Sequence, residues 1–122
     1  DQCDLVVLPG GIPGVPNLKT NSKVQAMVKA QNDRGGYVAA ICAGPTALGA
    51  FGVLADKNAT CYPGCEDQLM AKRHSTEPVV VDGNVITSRG VGTAIEFALK
   101  LVEILIDRQT ADDLAEKIVY KR

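Results

Sequence analysis

Two short runs, "DLVVL" at residues 4–8 and "YVAAI" at 37–41, are apolar at nearly every position. A strand with one wet face alternates apolar and polar residues. A run without alternation needs cover on both faces, which is the situation of a strand in a parallel sheet between helical layers. Between the two runs, "TNSKVQAMVKAQNDRGG" reads as a helix. Asn21 or Ser22 caps it, Val24, Met27 and Val28 mark its apolar face, and Gly35 stops it. Strand, helix and strand in that order predict an α/β fold with a mostly parallel sheet. The first run begins at residue 4, and a strand of this central type there predicts that further strands precede it.

The remaining segments extend the pattern. "PGGIPGVPN" reads as a loop dense in glycine and proline. Residues 44–51 read as a short helix with Pro45 in its first turn, where a missing N–H does no harm. "NATCY" is expected as a short strand and "GCEDQLMAK" as a short helix. "PVVVDGNVITSRG" has the form of a hairpin joined at Asp82-Gly83. Residues 92–106 predict the longest helix, with Ile95, Leu99, Val102 and Ile106 as its buried stripe. A last helix is expected over 110–119, with Thr110 as cap and Asp113 three residues on.

The 122 residues suit one domain. A net charge of -1, with 13 basic and 14 acidic residues and no basic run, argues against nucleic acid or an anionic membrane as partner. No apolar stretch reaches the length of a membrane span, and the 92–106 region carries Lys100 and Glu103. The opening Asp1-Gln2-Cys3-Asp4 does not read as a leader. The four cysteines (Cys3, Cys42, Cys61 and Cys65) are expected as free thiols in a reducing, cytoplasmic compartment, because a chain this rich in core residues needs no disulfides. Cys61 and Cys65 have metal-like spacing, but two more ligands are needed and only His74 stands near, so no metal or other cofactor is expected.

In parallel sheets, sites gather at the carboxyl ends of the strands. "PGG" after 4–8, "CAGP" after 37–41 and "SRGVGT" after 84–87 all fall there. Cys42 sits between a strand and a helix, with small neighbours Ala43 and Gly44, as in a nucleophile elbow. Such a thiol faces backbone N–H groups and the positive end of a helix, which favour thiolate. The Ala43 N–H and one from the Gly10-Gly11 turn are candidate oxyanion donors. Gly10, Thr87, Ser88 and Arg89 are candidate substrate or anion contacts, Arg89 through its fork of donors. A small buried cysteine without chemistry is the competing reading of Cys42. His74 reads as a surface histidine, and Glu96 as a carboxylate stabilising its helix start.

Taken in order, "VVLPGG", "AAICAGPTAL" and "TSRGVGTAIEFAL" resemble the ThiJ/PfpI superfamily, most closely the parkinsonism-associated DJ-one branch of deglycases and glyoxalases. The resemblance covers nearly all of the chain and implies a single domain with a flavodoxin-like three-layer sandwich. These residues would be the C-terminal two thirds of that domain. It implies a homodimer, a nucleophilic and easily oxidised Cys42, oxyanion N–H groups from Gly11 and Ala43, and anion binding at Arg89. Its implied substrates are methylglyoxal-type α-oxoaldehydes or their early glycated adducts. A redox-sensing or chaperone-like protein is the alternative, and a non-catalytic dimerising module a weaker one. Protease members carry histidine directly after the cysteine; Ala43 stands there, which weakens a peptidase reading. Some relatives carry a histidine where this chain has Tyr62. The family's acid/base glutamate lies in an N-terminal segment that finds no match here, and a separate fragment carrying it is a conceivable partner.

Overall fold

The computed structural model describes residues 3–122. Four strands form the main sheet: β1 (Leu5–Leu8), β2 (Tyr37–Ile41), β5 (Val79–Asp82) and β6 (Val85–Ser88). Their order is β1-β2-β6-β5, parallel except for the β5/β6 hairpin. A separate two-stranded parallel pair joins β3 (Asn58–Ala59) to β4 (Arg73–His74). The helices are α1 (Gly14–Lys19), α2 (Ser22–Asp33), α3 (Pro45–Ala50), α4 (Ala94–Leu105) and α5 (Arg108–Lys117). None is long and apolar enough to cross a membrane.

In β2 the absence of alternation has its expected cause: both faces of the sheet's centre are covered. On one face Leu8, Val38, Ala40 and Val85 meet Val28 of α2 and Ala47 and Leu48 of α3. On the other, Ala39 and Ile86 meet Phe97, Leu101 and Ile104 of α4, and α5 packs outside α4. Each fully buried leucine, such as Leu48, contributes on the order of 2 kcal/mol. The result is a three-layer, mostly parallel α/β sandwich of flavodoxin-like type. Among the described residues β1 lies at the sheet edge, with Val7 42% exposed, rather than in the middle.

Several local expectations are corrected. The segment expected as a loop after β1 contains α1, which tolerates Pro16 because the N–H groups of a first helical turn have no intrahelical partner to lose. Val15 anchors it in the core. Asn21 caps α2, accepting from the Lys23 and Val24 N–H groups at 3.0 and 3.1 Å, but Met27 faces solvent while Val28 is buried. "NATCY" pairs only at Asn58 and Ala59, because the next N–H, of Thr60, donates to the Thr87 hydroxyl at 3.0 Å instead of to a strand. "GCEDQLMAK" yields one 3₁₀ turn, Glu66–Gln68; Leu69 buries itself and Met70 turns to φ +51°. Asp82 pairs with Val85, so the hairpin turn is Gly83-Asn84, one residue later than expected. In α4 the sheet-facing residues are Phe97, Leu101 and Ile104, whereas Ile95 and Ile106 are exposed; Leu99 is buried as expected. The cap of α5 is Asp107, which accepts from Thr110 N–H at 2.7 Å.

Candidate active site at the carboxyl edge of the sheet

Parallel register puts three loops side by side. Leu8 pairs with Ala40, and Ile41 pairs with Ser88, so the chain leaves β1, β2 and β6 at the same edge. Cys42 is the first residue beyond β2. Its N–H donates to Ser88 O at 3.1 Å, and its carbonyl accepts from Tyr62 N–H at 2.8 Å. Held from both sides, Cys42 adopts φ +65°, the left-handed region that non-glycine residues seldom occupy. The turn that follows is tight. A Cβ on Gly44 would lie 2.7 Å from Leu8 O and 2.9 Å from Ile41 O, so only glycine lets α3 begin this close to the strand ends.

The thiol lies against the first loop. A Cβ on Gly10 would lie 2.6 Å from Cys42 Cβ and 3.2 Å from its Sγ. Gly11 and Ala43 flank this contact, and among the described residues their N–H groups have no acceptor within the protein. The arrangement therefore sets a partly buried cysteine against the glycine loop, with an unspent backbone donor on the next residue of each segment. The helix behind Cys42 has only six residues, so its dipole contributes less than a longer helix would.

A cleft of about 450 Å³ opens over Cys42. Tyr62, Pro63, Arg89, Gly90, Val91, Gly92 and Thr93 complete its lining. Arg89 reaches it as expected, but much of its guanidinium is engaged elsewhere: Nε donates to Cys61 O at 3.1 Å, and Nη2 lies 3.9 Å from Glu66 Oε2. Gly10, Gly11 and Ala43 adjoin Cys42 but are not part of the cleft lining, and Thr87 and Ser88 do not line it either. Both are buried; Thr87 accepts from Thr60 N–H, while Ser88 Oγ donates to Pro78 O and lies 2.7 Å from Thr93 Oγ1. Their polar groups are spent bracing the loop from within. Thr93 also accepts from the Arg89 and Gly90 N–H groups at 3.2 and 3.1 Å, fixing the loop that carries Arg89.

Glu66 was not singled out by sequence. Backbone N–H groups at Glu66 itself and at Gly64 hold its carboxyl below the ordinary range, with smaller contributions from His74 and Arg89. His74 Nε2 lies 4.0 Å from Glu66 and is absent from the cleft lining. Burial chiefly, then the Glu66 charge, pushes the Cys61 thiol up to about 11. Among the described residues no group of three or more His, Cys, Asp or Glu side chains could hold a metal ion. Glu96 stands in the first turn of α4 and accepts from Tyr120 OH at 2.7 Å. Of the cleft residues, sequence reasoning gave an individual role only to Cys42 and Arg89; Tyr62, Pro63, Gly90, Val91, Gly92 and Thr93 had none. The signal available for Tyr62 was an aromatic residue set beside a Pro-Gly turn.

Comparison with known proteins identifies the family and the fold. Residues 1–104 match the DJ-1/PfpI family. The Parkinson disease protein 7 homolog of Danio rerio is 46% identical over 121 residues, covering 97% of this chain and 64% of that protein. The glutathione-independent glyoxalase DJR-1.2 of Caenorhabditis elegans is 38% identical over 117 residues, covering 94% of this chain and 62% of that protein. The crystal structure of Drosophila melanogaster DJ-1beta superposes with a TM-score of 0.93 at 41% identity, covering all of this chain and 67% of that one. The chain thus spans slightly under two thirds of the length of these two curated relatives. On the match over residues 1–104, the 46% identity and the superposed fold, the chain belongs to the DJ-1/PfpI family.

Proposed function

We propose that this protein is a cysteine-dependent glyoxalase or deglycase acting on α-oxoaldehydes such as methylglyoxal, or on their early adducts. The observation that carries this reading is Cys42, at positive φ on an open cleft and packed on Gly10, with unpaired N–H groups on the residues that follow each partner, Gly11 and Ala43. The name of the C. elegans relative supports it at 38% identity. The Cys42 thiolate adds to the aldehyde carbon, and the carbonyl electrons become an oxyanion held by the Gly11 and Ala43 N–H groups. The hydrogen on that carbon leaves as a proton and its electrons form an enediol. Reprotonation at the adjacent carbon gives a 2-hydroxy thioester. Water cleaves the C–S bond, releasing the 2-hydroxy acid and returning the thiolate. No carboxylate lines the cleft, so we assign the proton transfers to the glutamate that the family resemblance places N-terminal to β1. We further propose a cytoplasmic homodimer.

The test is lactate formation from methylglyoxal by the full-length protein. Turnover should vanish in Cys42→Ala, and equal turnover by that variant removes the mechanism.

A second reading is favoured by the place of Cys42 on the open cleft: a redox sensor in which peroxide oxidises the thiolate to sulfenate and a second peroxide yields sulfinate. Mass spectrometry after mild peroxide separates the two. Selective oxidation of Cys42 without aldehyde turnover favours the sensor, and oxidation spread over all four cysteines counts against it.

A further inference from the structure

We propose that Tyr62 is a specificity-determining wall of the Cys42 cleft, selecting 2-oxoaldehydes with an aryl or other flat apolar substituent over methylglyoxal; this rests on the reading of Cys42 as nucleophile. The backbone of Tyr62 is fixed relative to the thiol. Its N–H donates to the carbonyl of Cys42 at 2.8 Å, its own carbonyl accepts from Cys65 N–H at 3.0 Å, and the preceding carbonyl is held by Arg89 Nε at 3.1 Å. The ring stands beside bare backbone: a Cβ on Gly90 would lie 3.4 Å from Tyr62 Cδ1 and 3.7 Å from Cε1. Tyr62 is nevertheless 50% exposed as a residue, and Val91, on the same cleft, is 93% exposed.

Part of the polar lining is already engaged. Thr93 Oγ1 serves Ser88, Arg89 and Gly90, and Arg89 Nε donates to Cys61 O while its Nη2 lies 3.9 Å from Glu66. The apolar surface open to a ligand's substituent is the Tyr62 ring, Pro63 and Val91. With the aldehyde carbon at Cys42 Sγ, the substituent on the neighbouring carbon begins one bond away. A methyl group covers little of that wall. A planar ring can lie against Tyr62 and gain aromatic contact as well as apolar burial.

The test uses the full-length protein and initial rates. Wild type should favour phenylglyoxal over methylglyoxal by about tenfold in kcat/KM, the scale set by aromatic contact and apolar pocket discrimination. Tyr62→Ala should erase that preference, lowering kcat/KM for phenylglyoxal about tenfold more than for methylglyoxal and doing so through KM, while Tyr62→Phe keeps it. Equal loss on both aldehydes, or loss in Tyr62→Phe, overturns the proposal. A second arm needs no turnover. In Cys42→Ala, NMR titration with mandelate and lactate, the acids the two aldehydes become, should show mandelate about tenfold tighter and shifting the Gly90 and Val91 amides. The advantage should disappear in Cys42→Ala/Tyr62→Ala. A mandelate advantage in a protein that turns over neither aldehyde upholds the wall and sinks the enzyme reading. Equal binding of the two acids overturns the wall even where methylglyoxal turnover is normal.

Discussion

Gly10→Ala adds one carbon against the candidate nucleophile. That carbon would sit 2.6 Å from Cys42 Cβ, 3.2 Å from its Sγ and 3.2 Å from Ile41 O. Carbon atoms rest about 3.5–4.0 Å apart, so the overlap with Cβ is roughly 1 Å. Gly10 is not in the left-handed region, so the cost is steric and not conformational. Neither partner yields easily: Cys42 is tied to Ser88 and Tyr62, and the far side of the loop continues into α1 through the Val15 N–H to Gly11 O bond at 2.9 Å. Overpacking of this kind costs about 1–3 kcal/mol. A displacement near 1 Å of a reacting group costs on the order of 100-fold in rate. Thermal unfolding and the alkylation rate of Cys42 by iodoacetamide read the two effects separately, and aldehyde turnover by the full-length protein reads the catalytic one. Gly14→Ala is the control, since its added Cβ meets nothing within 4 Å and lies in α1, where alanine is favoured by up to about 1 kcal/mol. If Gly10→Ala matched Gly14→Ala in stability and left alkylation and turnover unchanged, the contact between the glycine loop and the thiol would be refuted.

Other outcomes follow from the same structure. Asn21→Ala removes the acceptor for two N–H groups of α2 and should cost about 1 kcal/mol in chemical denaturation, with Asn21→Asp largely retaining it. Thr87→Val leaves the buried Thr60 N–H without its acceptor and should cost about 1–3 kcal/mol, while Thr87→Ser costs less. The Cys61 thiol is raised from 9.0 to about 11 in the fold. Between those values the unfolded chain has released a proton that the folded chain still holds, so stability should be full below about pH 9 and fall as pH approaches 11. Denaturation midpoints across that window should be flatter in Cys61→Ala, and identical slopes would contradict the shift.

The sequence was most legible where one physical demand dominated. β2 is an unbroken apolar run after Gly36, α3 opens on Pro45 at its first position, and β5 and β6 are β-branched runs joined by a tight turn, and their limits fell within a residue or two of expectation. α1 was hidden because Pro16 and Gly14 weigh against a helix on propensity, and only its position in the first turn makes that proline harmless. The stripe of α4 was misjudged because packing between the sheet and α5 decides which residues are buried, and a single period cannot say where the second neighbour sits. At the site, Cys42, Gly10 and Arg89 meet at the sheet edge because they follow parallel strands, which is a rule of topology readable from the strand pattern. The inward turn of Thr87 and Ser88 was not readable, because it depends on hydrogen bonds to Thr60 and Pro78, partners distant in sequence. Tyr62 reaches the cleft through a bond to the Cys42 carbonyl that no local pattern announces.

The φ of +65° at Cys42 sets stability and reactivity against each other at one residue. A side chain in that conformation costs on the order of 1 kcal/mol relative to glycine. Selection for thermal endurance alone would favour glycine at position 42, and chains drifting under that pressure would lose the thiol while keeping the fold. A cysteine held there therefore measures, in tolerated strain, how much the thiol is worth to the protein that keeps it.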